Sequence, residues 1–148
     1  MRVIIQRVKY AKCHIDNQVY SEINQGFMCL VGIKNGDTVK EVEKVAKKVI
    51  GMRIFDDAEG KMNLNLAAVN GEVLSISQFT LYGDSRKGNR PSFVEAMKPP
   101  VASDLYDYFN QLISEAGIPI KTGIFGAEMQ IEMINDGPIT IILDSEVL

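Results

Sequence analysis

Short apolar runs bounded by turn residues recur along the whole chain, and one of them, Phe27-Met28-Cys29-Leu30-Val31, is apolar without interruption. A strand of that kind has no polar face to give to water, so it belongs in a sheet covered on both sides. Gly26 starts it. Upstream, residues 3–8 read as another buried strand that ends in charge, with Arg7 as its odd member. An arginine there is expected to be a strand-end residue reaching water, since inward structural clamps are the minority. The run from His14 to Tyr20 reads as a hairpin about Asp16-Asn17.

Three segments carry helical signals. Thr38-Val39-Lys40-Glu41 is a capping box, followed by Val42, Val45, Ala46, Val49 and Ile50 at helical spacing, with Gly51 as the stop. Ser92-Phe93-Val94-Glu95 has the same capping pattern and predicts a short second helix that Pro99-Pro100 ends. The third helix is expected over residues 102–116. Leu105, Tyr108, Phe109, Leu112 and Ile113 are on its buried face, Tyr106 is at the edge, and Gly117 is the cap.

The C-terminal part returns to strand. Two glycines in Thr122-Gly123-Ile124-Phe125-Gly126-Ala127 point to close approach of a backbone or ligand. Met129, Ile131 and Met133 then alternate with polar residues. Asn135-Asp136-Gly137-Pro138 is expected to make a turn, with residues 139–143 as the returning strand and Pro138 at its tip or on an edge. Strands outnumber helices and no linker divides the 148 residues. The expected architecture is a single α+β domain, a mostly antiparallel, barrel-like sheet with outer helices.

Several function classes drop out on composition. A net charge of −3 gives no global reason to bind nucleic acid, so any such contact needs a local basic patch. The nine residues from Gly83 to Pro91 contain one, in Arg86, Lys87 and Arg90. Cys13 and Cys29 are too few for a structural zinc site and read as reduced, buried thiols. The acidic turn over residues 56–60 lacks the spacing of a calcium loop and reads as a solvated loop. No apolar run approaches membrane-spanning length and the N-terminal run is too short for a signal peptide, which predicts a soluble, cytoplasmic protein.

The apolar run Val73-Leu74-Ser75-Ile76 closes in Ser77-Gln78-Phe79-Thr80. Polar side chains where a buried strand gives way to loop either satisfy the turn or face a pocket. The chain holds one histidine, His14, so a Ser-His-Asp or Cys-His site elsewhere is nearly ruled out. No phosphate loop, dinucleotide fingerprint or nucleophile elbow is present. If the chain is an enzyme, it has to work through main-chain electrostatics, a bare hydroxyl, or a group brought by the substrate. Binding of an RNA end without chemistry, a small-molecule esterase and a purely structural dimer stay open on these residues.

Two motifs carry a resemblance. Ser77-Gln78-Phe79-Thr80 and Asn135-Asp136-Gly137-Pro138-Ile139-Thr140 resemble the two signatures of the D-aminoacyl-tRNA deacylase (DTD) family. Lesser blocks match in order: Gln6-Arg7-Val8, Arg53-Ile54-Phe55, Gly60-Lys61-Met62-Asn63, Arg90-Pro91-Ser92-Phe93, and residues 123–129. The resemblance implies a DTD-like fold and a homodimer that hydrolyses the ester between a D-amino acid, or mischarged glycine, and the 3′ end of tRNA. It implies no metal and no cofactor, and gives no reason to expect DNA as a partner. It places Ser77, Gln78, Phe79 and Thr80 on one wall of the pocket, acting mainly through backbone N–H groups. Phe125 and Met129 would line the adenine pocket. Gly137 and Pro138, joined by a cis bond and oriented by Arg7, would enter the other subunit's site and exclude L side chains. Arg86, Lys87 and Arg90 would meet acceptor phosphates. Lys12-Cys13-His14 is more polar than is usual for the family at that place.

Overall fold

A computed structural model describes all residues, Met1–Leu148. The organising strand is β1 (Arg2–Ile15), which is 14 residues long. It turns at Asp16-Asn17 into β2 (Gln18–Ile23), and both turn residues have positive φ, 51° and 61°. That is the primed geometry that asparagine and aspartate tolerate and that matches strand twist. β3 (Gly26–Gly32) pairs antiparallel with the first half of β1. The helix α1 (Val39–Gly51) then crosses over, followed by the two short strands β4 (Phe55–Asp56) and β5 (Met62–Leu64). Next come β6 (Glu72–Ser77), α2 (Val101–Glu115), β7 (Ile120–Thr122) and β8 (Gln130–Asp144).

The main sheet has six strands, in the order β2-β1-β3-β6-β7, with β8 on the other edge of β1. Ser21 Oγ on β2 donates to the Thr122 carbonyl on β7 at 2.8 Å, which brings the two ends of the sheet together into a nearly closed barrel. The β1 pairings are antiparallel as expected, but β3–β6 and β6–β7 are parallel. Each parallel pair is joined through a helix, the usual requirement for such a crossover.

The double-sided burial of β3 is accounted for by two apolar clusters. Phe27, Cys29 and Val31 pack toward Val42, Val45 and Val49 of α1 and Phe109 and Ile113 of α2. Met28 points the other way, toward Val8, Ala11, Cys13, Leu74 and Ile76 inside the barrel. Each such side chain contributes roughly 1.5–3 kcal/mol by leaving water.

Three expectations need correction. Arg7 is not a strand-end residue reaching water; it is buried, 7% exposed, in the middle of β1. Residues 92–98 form no helix, because their backbone is already spent on neighbours. Ser92 and Asp84 exchange two N–H···O bonds at 2.8 Å, Asn35 N–H donates to the Glu95 carbonyl and Met97 N–H to that of Ile33. So few residues before Pro99-Pro100 could not recover the cost of nucleating a helix. α1 stops at Gly51, its last residue, as expected, and Met52 goes extended. Finally, Asn135-Asp136-Gly137-Pro138 does not reverse the chain. β8 runs on antiparallel to β1 past this point, and the residues between two ladder positions, Val8↔Asn135 and Gln6↔Thr140, are extruded as a bulge.

Candidate active site

β6 lies between β3 and β7, and its last residue, Ser77, delivers the chain to a 3₁₀ turn over Phe79–Tyr82. Gln78 N–H is fixed on the Val31 carbonyl at 2.7 Å, and Leu81 N–H closes on the Gln78 carbonyl at 3.3 Å. The first residues of such a turn, Phe79 and Thr80, have N–H groups with no acceptor within it. They are the free donors of this segment's own geometry. The Gln78 side-chain amide donates to the Thr80 hydroxyl, which is thereby held by an amide and not by a base. Phe79 is exposed and meets Phe93 edge-on, with ring centroids 5.1 Å apart.

Beside this turn is a cavity of about 510 Å³, walled by Ser77, Gln78 and Phe79 on one side and by Phe125, Met129 and Ile131 on another. That volume suits a small-molecule or nucleoside site. Phe93, Met97 and Lys98 close a third side, and Ala102 and Tyr106 of α2 form the floor. Tyr106 donates its hydroxyl to the Ser75 carbonyl at 2.8 Å, and its ring sits 5.9 Å from that of Phe125. Burial pushes the Tyr106 phenol up from its ordinary range, so it stays a neutral donor. Gly123 allows the wall to close, since a Cβ there would come within 2.3 Å of Met129 Sδ. Lys98 is the one charged residue of the lining, which contains no carboxylate, histidine or cysteine.

Of the residues singled out by sequence, the structure brings Ser77, Gln78, Phe79, Phe125 and Met129 onto this cavity; Thr80 lies just outside its wall. Gly137 and Pro138 are not on it. They cap the β8 bulge, exposed, and the bond between them is cis. Gly137 has φ +121°, and a Cβ there would sit 2.7 Å from Ile139 Cγ1, so glycine is required twice over. Asn135 stitches the base of the bulge by donating its amide to the carbonyls of Arg7, at 3.0 Å, and Ile139, at 2.9 Å. Arg7 holds it from below. Its Nη1 donates to the Ile54 carbonyl at 2.7 Å, and its guanidinium faces Asp136 at 3.3 Å and Asp56 at 3.7 Å. The Asp136 contact is an ion pair without hydrogen-bond alignment, which leaves Arg7 Nε unpartnered.

The basic loop is exposed and also off the cavity. Arg86 is forked onto Asp84 at 2.9 and 2.7 Å, and the guanidinium holds that carboxyl down at about 2, while Lys87 and Arg90 make no ion pair. His14 is at the far end of β1, 3.0 Å from Glu132, which also accepts from Tyr10. Sequence reasoning missed Phe93, Met97, Lys98 and Ala102, and put Tyr106 at the edge of its helix. A buried tyrosine needs an acceptor for its hydroxyl, and that was the one available signal for Tyr106.

Comparison with known proteins gives a consistent result. The family model described as D-Tyr-tRNA(Tyr) deacylase matches residues 4–144. A solved structure described as c-Myc DNA Unwinding Element Binding Protein is 38% identical, with a TM-score of 0.89, over 97% of this chain and 98% of the other. A second, described as a "probable eukaryotic D-amino acid tRNA deacylase", is 16% identical with a TM-score of 0.83 over 96% of this chain and 97% of that one, and shares the fold.

Proposed function

Because this chain belongs to the D-Tyr-tRNA(Tyr) deacylase family, and is therefore a hydrolase acting on aminoacyl-tRNA, we propose a specific working arrangement for its cavity. The terminal adenosine of tRNA enters between Phe125, Met129 and Tyr106, and the D-aminoacyl ester lies against Ser77 to Thr80. The observation that carries this reading is the lining itself: aromatic and apolar on one side, free backbone donors on the other, and no side-chain base. An aminoacyl ester is already activated and has a 2′-hydroxyl beside it. Water adds to the ester carbonyl, and the N–H groups of Phe79 and Thr80 meet the developing oxyanion. The carbonyl–ribose oxygen bond then breaks; the 2′-hydroxyl passes its proton to the leaving oxygen and takes up the one the attacking water gives up. The products are free D-amino acid and tRNA, and glycine, with no side chain to exclude, is accepted as well.

We further propose that the enzyme works as a homodimer in which Gly137-Pro138 of one subunit closes the other's cavity and leaves no room for an L side chain. Three features support this. The bulge is held by Arg7 and Asn135, yet lies off the main cavity of its own chain. The outer edge of β8 pairs with no strand. Ile134 and Ile142 on it are 47% and 65% exposed. Lys87 and Arg90, with Arg86 as a weaker member, meet acceptor phosphates, and the reaction takes place in the cytoplasm.

Single-turnover deacylation of D-tyrosyl-tRNA tests the chemistry. Thr80→Ala should retain most of the rate, because Thr80 contributes through its N–H, whereas a substrate with a 2′-deoxy terminal ribose should be hydrolysed at least about a hundredfold more slowly, the scale of one lost transition-state contact. Loss of chemistry in Thr80→Ala with intact tRNA binding would restore a hydroxyl nucleophile. The relative named for a DNA element supplies a second reading, DNA binding, which duplex DNA competing with tRNA for the protein would reveal.

A further inference from the structure

The main cavity does not end at Lys98. A second cavity, of about 470 Å³, adjoins it and shares the wall made by Ala96, Met97 and Lys98. Its remaining lining is Asn35, Val94 and Val101. Val94 and Val101 are 77% and 53% exposed, a pair of apolar side chains left bare at the mouth of a polar-edged recess. Lys98 is the only charged residue on either lining, and it makes no ion pair with any carboxylate of the chain. Lys34, the nearest cation in sequence to Asn35, is by contrast consumed by Glu95 and Glu146 at 3.8 and 2.5 Å. Asn35 spends its amide N–H on the Val94 carbonyl at 2.8 Å, which fixes the side chain and leaves its carbonyl oxygen free to accept.

Two adjoining recesses that share one exposed, unpaired lysine match one chemical object, two nucleosides linked by a phosphodiester. We infer that the second cavity receives the nucleotide preceding the terminal adenosine, and that Lys98 binds the phosphate between them. The penultimate base lies on Val94 and Val101, with the Asn35 oxygen available to the exocyclic amine of a cytosine. Lys98 is then a substrate-positioning residue whose contact is with the RNA backbone. This rests on the main cavity being the adenosine site, as proposed above. It adds that recognition spans a dinucleotide, with a charge contact at the shared edge of the two recesses as well as on the basic loop.

The test uses ligands without an ester, so that it does not depend on catalysis. Adenosine and the dinucleotide CpA are titrated into the purified full-length protein by calorimetry at several salt concentrations. CpA should bind at least about tenfold more tightly than adenosine, and its affinity should fall with salt with a log–log slope of about −0.7, the value for one phosphate contact on a single strand. Lys98→Gln should collapse the CpA advantage and the slope, Lys98→Arg should restore both, and Val94→Glu should remove the advantage by placing a carboxylate where the penultimate base lies. Equal affinities for the two ligands in the wild type, or an unchanged CpA advantage in Lys98→Gln, would overturn the inference. Adenosine titrated into Phe125→Ala, whose change lies in the main cavity alone, separates that failure from failure of the underlying reading: the first can occur with adenosine binding weakened in this variant, the second cannot.

Discussion

Asn135→Ala removes a single half-buried side chain and should separate the stability of the bulge from that of the cavity. Its amide donates to two carbonyls, that of Arg7 on β1 and that of Ile139 at the far end of the extruded residues. A net hydrogen bond of this kind is worth about 1 kcal/mol, so losing both should cost about 2 kcal/mol, with some of the loss arising from carbonyls left without a partner. For a chain of 148 residues that corresponds to a fall in Tm of about 4–8 °C. The backbone ladder on either side does not depend on this amide, and the residue lies off the cavity, so adenosine affinity should hold. Discrimination between D- and L-tyrosyl-tRNA should drop by about tenfold or more, equivalent to about 1.4 kcal/mol. Urea denaturation gives the first quantity and paired deacylation rates the second. A variant that loses about 2 kcal/mol yet discriminates as well as the wild type would refute the assignment of chirality to this bulge.

Other outcomes follow from single contacts. Tyr106→Phe keeps the cavity ring but strands the buried Ser75 carbonyl, so urea denaturation should show a loss of about 1–2 kcal/mol while adenosine titration shows little change. Burial pushes the Cys29 thiol up to about 12 and raises Cys13 as well, so neither should react with a thiol reagent at pH 8 until the protein unfolds. Glu41 is held below its ordinary 4.5 by hydrogen bonds from the Thr38 hydroxyl and N–H. The folded state therefore binds that proton less readily than the unfolded one, and the contribution is full above pH 4.5 and lost as pH falls through the lowered value. Glu41→Gln should flatten that acid limb in urea midpoints taken from pH 3 to 7, about the span of the titration.

Local signals were read well where they depended on one element, and poorly where they depended on a neighbour. The capping box at Thr38 and the turn at Asp16-Asn17 are satisfied within a few residues, and both stand as expected. The same capping pattern at Ser92 failed because Asp84, Ile33 and Asn35 claim that segment's backbone groups, which no local pattern records. Asn135-Asp136-Gly137-Pro138 has the composition of a turn, and only its pairing with an unbroken β1 makes it a bulge. Arg7 was misplaced for a related reason, since its acceptor, Ile54, is distant in sequence. Of the cavity, one wall was legible through Ser77 to Phe79 and another through Phe125 and Met129. Lys98 and Phe93 came from a stretch whose fold was misread, and so were not seen.

A site without a side-chain base should hydrolyse a D-aminoacyl ester and spare its mirror image. The most direct measurement is the rate at which the purified protein deacylates D-tyrosyl-tRNA and L-tyrosyl-tRNA under identical conditions. Rapid release of D-tyrosine and retention of the L ester are expected. Hydrolysis of both at similar rates, or tight binding of both with neither hydrolysed, would contradict this.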